Sequence, residues 1–418
     1  MSAMKALYFK TKGNLWQISN FEIEVILMKK VLAINSGSSS FKYKLFTFPN
    51  EKVVASGMAD RVGMANAVFK IKLNSKEYIK NTPIPNQEAA VSLLIESLKK
   101  FNVVKDLKEL SGVGHRVVNG GEVFKHSVVI NQANLKQLIK LGNLAPLHNI
   151  PETVGIEAFM QIIPDIPQIA VFDTSYHQSL SEINYLYSIP YRYYEDYAVR
   201  KYGAHGISVE YVAPRAAKMM GKNLNISKLI VCHLGSGSSV TAVKNGKSYD
   251  TSMGFSPLTG VTMGTRSGDF DPSALRYIMD KTGMSIDEGI DMLNHESGLL
   301  GISGVSSDMR DLIESKQKRA ELARRIYINR VVRYVGAYAA EMDGVDGIIF
   351  TAGVGEHDSG IRAGVMSSLR YLGLKPDYKA NRTDGEKFIS MPNSKVKALV
   401  VPTNEELMIA REVVRLTR

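Results

Sequence analysis

The chain has 418 residues, 44% hydrophobic and 22% charged, and its 52 Lys and Arg against 41 Asp and Glu leave a formal net charge of +11. That length exceeds one compact core and accommodates two domains with a cleft between them, and no apolar run approaches the ~18 residues of a membrane helix. A single cysteine, Cys232, rules out an internal disulfide and points to a reducing cytoplasm, while the scattered lysines and arginines favour a small anionic partner over the basic, aromatic-studded face that binds nucleic acid.

Residues 1–27 precede Met28-Lys29-Lys30, which reads as a natural start of translation, and lack an apolar signal core, a cleavage site and any arginine, so they read as an extension of unknown role. Apolar alternation then predicts strands over about 30–36, 41–48, 53–60 and 66–73, a helix over 87–101, a strand over 113–118 and helices over 132–141 and 152–163. "QIAVFDTSYH" reads as a buried strand ending in polar residues, and a helix is expected over 208–220. Further on come helices near 272–282, 286–294 and 317–342, the strand and turn "GIIFTAGVGEH", and the strand "KALVVPT" leading into a helix from about Asn404.

Between the first two strands lies the knot Asn35-Ser36-Gly37-Ser38-Ser39-Ser40. A Gly and hydroxyl turn lets a ligand approach the backbone and offers several donors to a multiply charged anion; a solvated hairpin tip has the same composition. The pattern returns in "LIVCHLGSGSSVTAV", where Gly237-Ser238-Ser239 matches Gly37-Ser38-Ser39 after 200 positions. Recurrence in the same setting implies a duplicated unit, and a third glycine loop, Gly353-Val354-Gly355, also follows a strand. Three such turns in two related halves describe a nucleotide gripped between domains.

The segments "NSGSSSFKYKLF", "GHRVVNGGE", "APLHN", "VFDTSYHQ", "RKYGAHG", "HLGSGSS", "TSMGFSPLTGVTMGTRSGD", "GLLGISGVSSDMRD", "FTAGVGEH" and "PTNEEL" resemble, in order, the signatures of the acetate kinase family. The resemblance implies an α/β fold of two duplicated domains of the sugar kinase/Hsp70/actin, ribonuclease H-like type, on related five-stranded mixed sheets. It also implies an interdomain cleft for ATP and Mg²⁺ or Mn²⁺, and a homodimer. Residues 28–175 together with the helix 404–418 are expected to form the first domain and 176–403 the second, nucleotide-binding one. The implied reaction is reversible transfer of the γ-phosphoryl group of ATP to acetate, giving acetyl phosphate and ADP.

Phosphoryl transfer passes through a loose transition state, so positioning and positive charge dominate catalysis. The resemblance assigns Arg116 to the acetate carboxylate, Arg266 to the transferring group, and His205 to a hydrogen bond with that group in flight, and it makes Asp173 an acid/base residue. A carboxylate substrate is already ionised at neutral pH and needs no base, so orientation of Arg116 or of the metal is the chemically preferred role for Asp173. Asn35 and Glu405 are the implied metal ligands, with Glu406 facing solvent or a helix partner. The implied nucleotide contacts are Ser38, Ser40, Lys42, the run His233, Leu234, Gly235, Ser236 and Gly237, the run Asp308, Met309 and Arg310, and the run Gly353, Val354, Gly355, Glu356 and His357. Val118, Leu147, His148, Ala204 and Pro257 are expected around the acetate methyl.

Ala204 stands where many family members carry Phe, which enlarges the methyl pocket toward propionate or butyrate unless neighbouring side chains refill it. Ser236 replaces an Asn, with a shorter reach toward phosphate. Ile207 and Val209 replace Thr and His, removing hydrogen-bonding groups near His205. Rival readings are a propionate kinase, a superfamily phosphatase that uses water, and a nucleotide-driven chaperone or filament protein, although the chain has no room for an Hsp70 peptide-binding domain.

Overall fold

The computed structural model describes residues 29–37 and 39–418; the extension 1–27, Met28 and Ser38 lie outside the described residues. One sheet contains β1 (Lys29–Ser36), β2 (Ser40–Phe48), β3 (Lys52–Asp60), β4 (Val68–Leu73), β5 (Lys76–Asn81), β6 (Leu110–Val117), β7 (Val128–Val129) and β8 (Gln168–Phe172), in the order β5-β4-β3-β2-β1-β6-β8-β7. A second contains β9 (Lys228–Leu234), β10 (Ser238–Lys244), β11 (Lys247–Thr251), β12 (Gly347–Thr351), β13 (Lys387–Phe388) and β14 (Lys397–Val400), in the order β11-β10-β9-β12-β14-β13.

The duplication is visible in the connectivity. In the first sheet β3, β2 and β1 run antiparallel in turn and β6 and β8 join parallel beyond β1; β11, β10, β9, β12 and β14 repeat the same order and directions. The expected five-stranded units are therefore embedded in larger sheets. The first gains the hairpin partners β4 and β5 at one edge and β7 at the other, and the second gains β13.

Each core follows from the two-residue period of a strand. On β1, Leu32 and Ile34 face one way, onto Val91, Leu94 and Phe159 of the helices Gln87–Lys100 and Pro146–Ile162. Val31 and Ala33 face the other way, onto Leu407, Ile409, Ala410 and Val413 of the C-terminal helix Glu405–Leu416. The second sheet repeats this sandwich: Ile230 and Cys232 pack on Tyr327, Val331 and Val335 of the helix Lys318–Glu341, while Leu229 and Val231 pack on Val209, Val212 and Ala216 of the helix Gly206–Met219. The sheets and their helices thus alternate helix, sheet, helix twice over.

Three expectations need correction. The helix expected from 152 begins at Pro146, because Pro146 occupies a first-turn position and Pro151 is carried inside the helix. Gly353-Val354-Gly355 is a turn of the short helix Ala352–His357 and not a loop. The helix Ser359–Ser368, capped by Asp358, was not anticipated, since Gly360 and Gly364 weaken its local signal.

Candidate active site

The carboxyl ends of strands from both sheets meet at one place, where ligands of open α/β sheets bind. Arg116 lies near the end of β6 and Asp173 immediately follows β8, its N–H donating to the Val117 carbonyl at 2.9 Å. Parallel pairing of those strands sets Arg116 across from Val171, so Asp173, two residues further on, lies on the same face and diagonal to it. Arg116 Nε and Nη2 donate to the two Asp173 oxygens at 3.2 and 2.6 Å, a two-pronged bond to a carboxylate that is 1% exposed. Arg116 Nη1 also reaches Asn35 Oδ1 at 3.5 Å. Burial opposes the Arg116 charge, but the carboxylates of Asp173, Glu405 and Glu152 outweigh it and raise the pKa above its ordinary value.

From the other sheet come two histidines and a second arginine. Gly206 brings the first of them in: its N–H donates to the Asp173 carbonyl at 3.0 Å, and a Cβ there would sit 2.2 Å from that oxygen, so only glycine permits the approach. His205, one residue earlier in a left-handed conformation (φ 60°), stacks on His233 with ring centroids 4.0 Å apart. Its Nδ1 pairs with Ser239 Oγ at 3.0 Å, and His233 Nδ1 pairs with Ser208 Oγ at 2.8 Å. Burial, then the His233, Arg116 and Arg266 charges, hold His205 well below the usual imidazole range, and burial lowers His233 to about 4. Both rings are neutral at pH 7.

Arg266 closes the group. Its Nη1 donates to the Pro257 carbonyl at 3.1 Å and lies 3.6 Å from Met263 Sδ; among the described residues it makes no salt bridge. Burial and the nearby Arg116 both lower its pKa. A Cβ placed on Gly237 would be 3.4 Å from His205 Nε2 and 3.7 Å from Arg266 Nη1. The second glycine knot therefore fronts the space shared by imidazole and guanidinium.

Of the expected metal ligands, Asn35 is the penultimate residue of β1, directly across from Lys42 in register, and Glu405 opens the C-terminal helix. Burial lifts Glu405 to about 7 against the pull of Arg116, with Asp173 and Glu406 adding to the lift. Its nearest basic neighbour, His233 Nδ1 at 4.0 Å, is neutral. An amide oxygen and a carboxylate so placed are hard donors suited to Mg²⁺, which takes one or two protein oxygens and completes its shell with phosphate and water. Glu406 pairs with Lys44 on β2 at 3.1 Å.

The nucleotide candidates divide by orientation. Gly235, Ser236 and Gly237 form the tip between β9 and β10, and Gly264 N–H donates to the Ser236 carbonyl at 3.1 Å, tying the Arg266 loop to it. The side chains of Leu234 and Met309 are buried in the core of the second sheet, leaving only their backbones to meet a ligand. Asp308 caps the helix Met309–Glu314 and is held down to about 2, chiefly by Arg310. Ser40 opens β2, and its carbonyl accepts the Gly37 N–H at 2.7 Å. Gly353, Val354 and His357 lie on the helix that follows β12, and Glu356 on that helix turns its carboxylate toward backbone N–H groups.

Around the expected methyl pocket, Val118 and Ala204 are buried, and Ala204 clusters with the fully buried Met253 and Met263. His148 is lowered to about 4 by burial, with Arg266 and Arg116 adding to the effect, while Leu147 lies in the first turn of the same helix. Ile207 joins the core of the first sheet and Val209 that of the second, so His205 draws its support from Ser239 and His233. Sequence reading missed Ser239 and also Glu152, a buried carboxyl that accepts the Val118 N–H at 3.0 Å and is raised by burial to about 8. A lone acid in the apolar run "HNIPETVGI" was the available signal.

A duplicated β-sheet core with basic and imidazole side chains from both halves at the strand ends defines a two-domain α/β protein of the sugar kinase/Hsp70/actin type. The profile of the Acetokinase family matches residues 30–411. This chain belongs to that family. An acetate kinase from Geobacillus kaustophilus is 51% identical over 393 residues, 93% of this chain and 99% of that one. The crystal structure of Porphyromonas gingivalis acetate kinase superposes with a TM-score of 0.89 at 39% identity, covering 93% of this chain and all of the other. A propionate kinase from Francisella tularensis gives a TM-score of 0.88 at 40% identity with the same coverage. Among the described residues no helix is long and apolar enough to cross a membrane.

Proposed function

We propose that the protein catalyses reversible transfer of the ATP γ-phosphoryl group to acetate. The observation that carries this reading is Arg266, a guanidinium that among the described residues is held by a carbonyl and a thioether, its Nη1 and the Nε2 of a neutral His205 both beside Gly237 and Arg116 close enough to lower its pKa. Arg116, aimed by Asp173, holds the substrate carboxylate. That group is ionised at neutral pH, and its oxygen attacks the γ-phosphorus as the bond to the bridging oxygen breaks, leaving the electron pair and negative charge on ADP. No proton need move, so Asp173 serves orientation and not acid/base chemistry. Arg266 stabilises charge on the equatorial oxygens. With the Ser239 hydroxyl donating a hydrogen bond to His205 Nδ1, the neutral ring carries its proton on Nε2, free to donate to the same oxygens.

Asn35 and Glu405 would hold Mg²⁺, with Mn²⁺ as a substitute, and the ion supplies charge neutralisation on the phosphates. Lys42, Ser38, Ser40, the tip 233–237, residues 308–310 and the segment 353–357 are the proposed nucleotide contacts. The division near residue 175, with the C-terminal helix joining the first lobe, places the cleft between the two sheets; a cytoplasmic homodimer completes the reading. Acetate is favoured over propionate because Met253 and Met263 cover Ala204 where a larger pocket was expected. The propionate kinase likeness keeps propionate as the second substrate.

Incubation with ATP, Mg²⁺, acetate and hydroxylamine tests the assignment. Acetyl hydroxamate is the expected product; release of inorganic phosphate without hydroxamate, at a rate independent of acetate, would replace it with a phosphatase or ATPase reading.

A further inference from the structure

Glu356 is turned away from solvent-side partners and toward two pieces of backbone. A single oxygen, Oε1, accepts the Ala352 N–H at 2.8 Å and the Thr403 N–H at 3.1 Å, from residues on the two sides of the second sheet's last crossover. Ala352 is a non-glycine residue with φ of 64°, an unfavourable conformation that must be held by its surroundings. Thr403 is anchored a second time, its Oγ1 pairing with Ser208 Oγ at 2.8 Å, and Ser208 in turn pairs with His233 at 2.8 Å. Two residues beyond Thr403 stands Glu405. The backbone that carries Glu356 is itself pinned, because the buried guanidinium of Arg362 donates to the Gly355 and Glu356 carbonyls at 3.0 and 2.7 Å.

We propose that Glu356 is a positioning residue that ties the segment 352–357 to the Thr403–Glu405 arm, so that one side chain sets nucleotide contacts and metal oxygen relative to each other. The inference rests on the reading of those two segments as nucleotide and metal contacts, and it replaces direct nucleotide binding by the Glu356 side chain. Reach matters to such a brace and charge matters little. Gln retains an oxygen at the same distance from the backbone, whereas Asp retains the charge but is one methylene too short to meet both N–H groups.

Calorimetric titration of the full chain with Mg·ADP separates the two. Glu356→Gln should bind within about twofold of wild type and Glu356→Asp about tenfold more weakly, the scale of a lost charge-assisted hydrogen bond. In the hydroxamate assay the Asp variant should need more Mg²⁺ for half-maximal rate while its KM for acetate, measured at saturating nucleotide, stays at the wild-type value. A Gln variant weaker than Asp overturns the brace in favour of a direct charge contact, and so does wild-type binding by both. Failure of wild type to bind Mg·ADP overturns both readings; binding without hydroxamate formation sinks only the carboxylate kinase assignment, because the Gln and Asp comparison still decides the brace.

Discussion

Arg266 and Glu152 show how burial turns ordinary side chains into site components. Arg266 has no carboxylate partner among the described residues, which fits the proposed contribution to an incoming anion. Arg266→Ala should lower turnover by roughly 10²–10³ with little change in thermal midpoint; a turnover near wild type removes Arg266 from the reaction. Glu152 works through the backbone, steadying Val118 two residues beyond Arg116. Burial lifts its folded pKa to about 8, above the ordinary glutamate value, so the folded chain holds a proton that the unfolded chain releases as pH rises between those values. The buried acid therefore contributes stability at low pH that is lost as pH rises through about 8. Glu152→Gln keeps the acceptor and removes the titration, so its thermal midpoint should gain on wild type as pH is raised from 5 to 8, by an amount on the order of 2 kcal/mol. A constant difference across that range refutes the shifted carboxyl.

The C-terminal helix carries Glu405 and rests on β6 over two glycines. A Cβ at Gly114 would lie 2.5 Å from Ile409 Cγ2 and 2.7 Å from Val413 Cγ2. Gly114→Ala must push the helix outward at a cost of roughly 1–3 kcal/mol, and the displacement carries the proposed metal ligand Glu405 with it. Melting several degrees lower and a raised Mg²⁺ requirement are expected together. A lower melting point with an unchanged Mg²⁺ requirement separates the helix seat from the site. Elements with strong periodicity, such as β1, β9 and the helix Lys318–Glu341, were legible within a residue or two. Those missed include β5, fully exposed along its length, β7 with two residues, the five-residue β11 and the glycine-bearing helix Ser359–Ser368, because none has a sustained apolar face to read.

Across the whole molecule, the first sheet supplies Asn35, Arg116 and Asp173, and the second supplies His233 and, through its loops, His205 and Arg266. A nucleotide that spans them, as proposed, would bind only the folded arrangement, so Mg·ADP at 100 times its Kd should stabilise the chain by about 2.7 kcal/mol, read as a rise in melting temperature. Absence of a shift contradicts a site assembled from both halves.

The glycine and serine knots, their recurrence and the ordered motifs were enough to identify a duplicated, phosphate-handling chain and its family, because close backbone approach to an anion demands small residues at specified places in the sequence. Which side chains turn into the core and which stay at the strand ends was decided only by packing. Leu234 and Met309 sit within binding motifs yet point into the core, Met253 and Met263 cover the space beside Ala204, and Glu356 braces two distant backbone segments. Such outcomes depend on contacts between residues far apart along the chain, and local pattern carries no record of those distances.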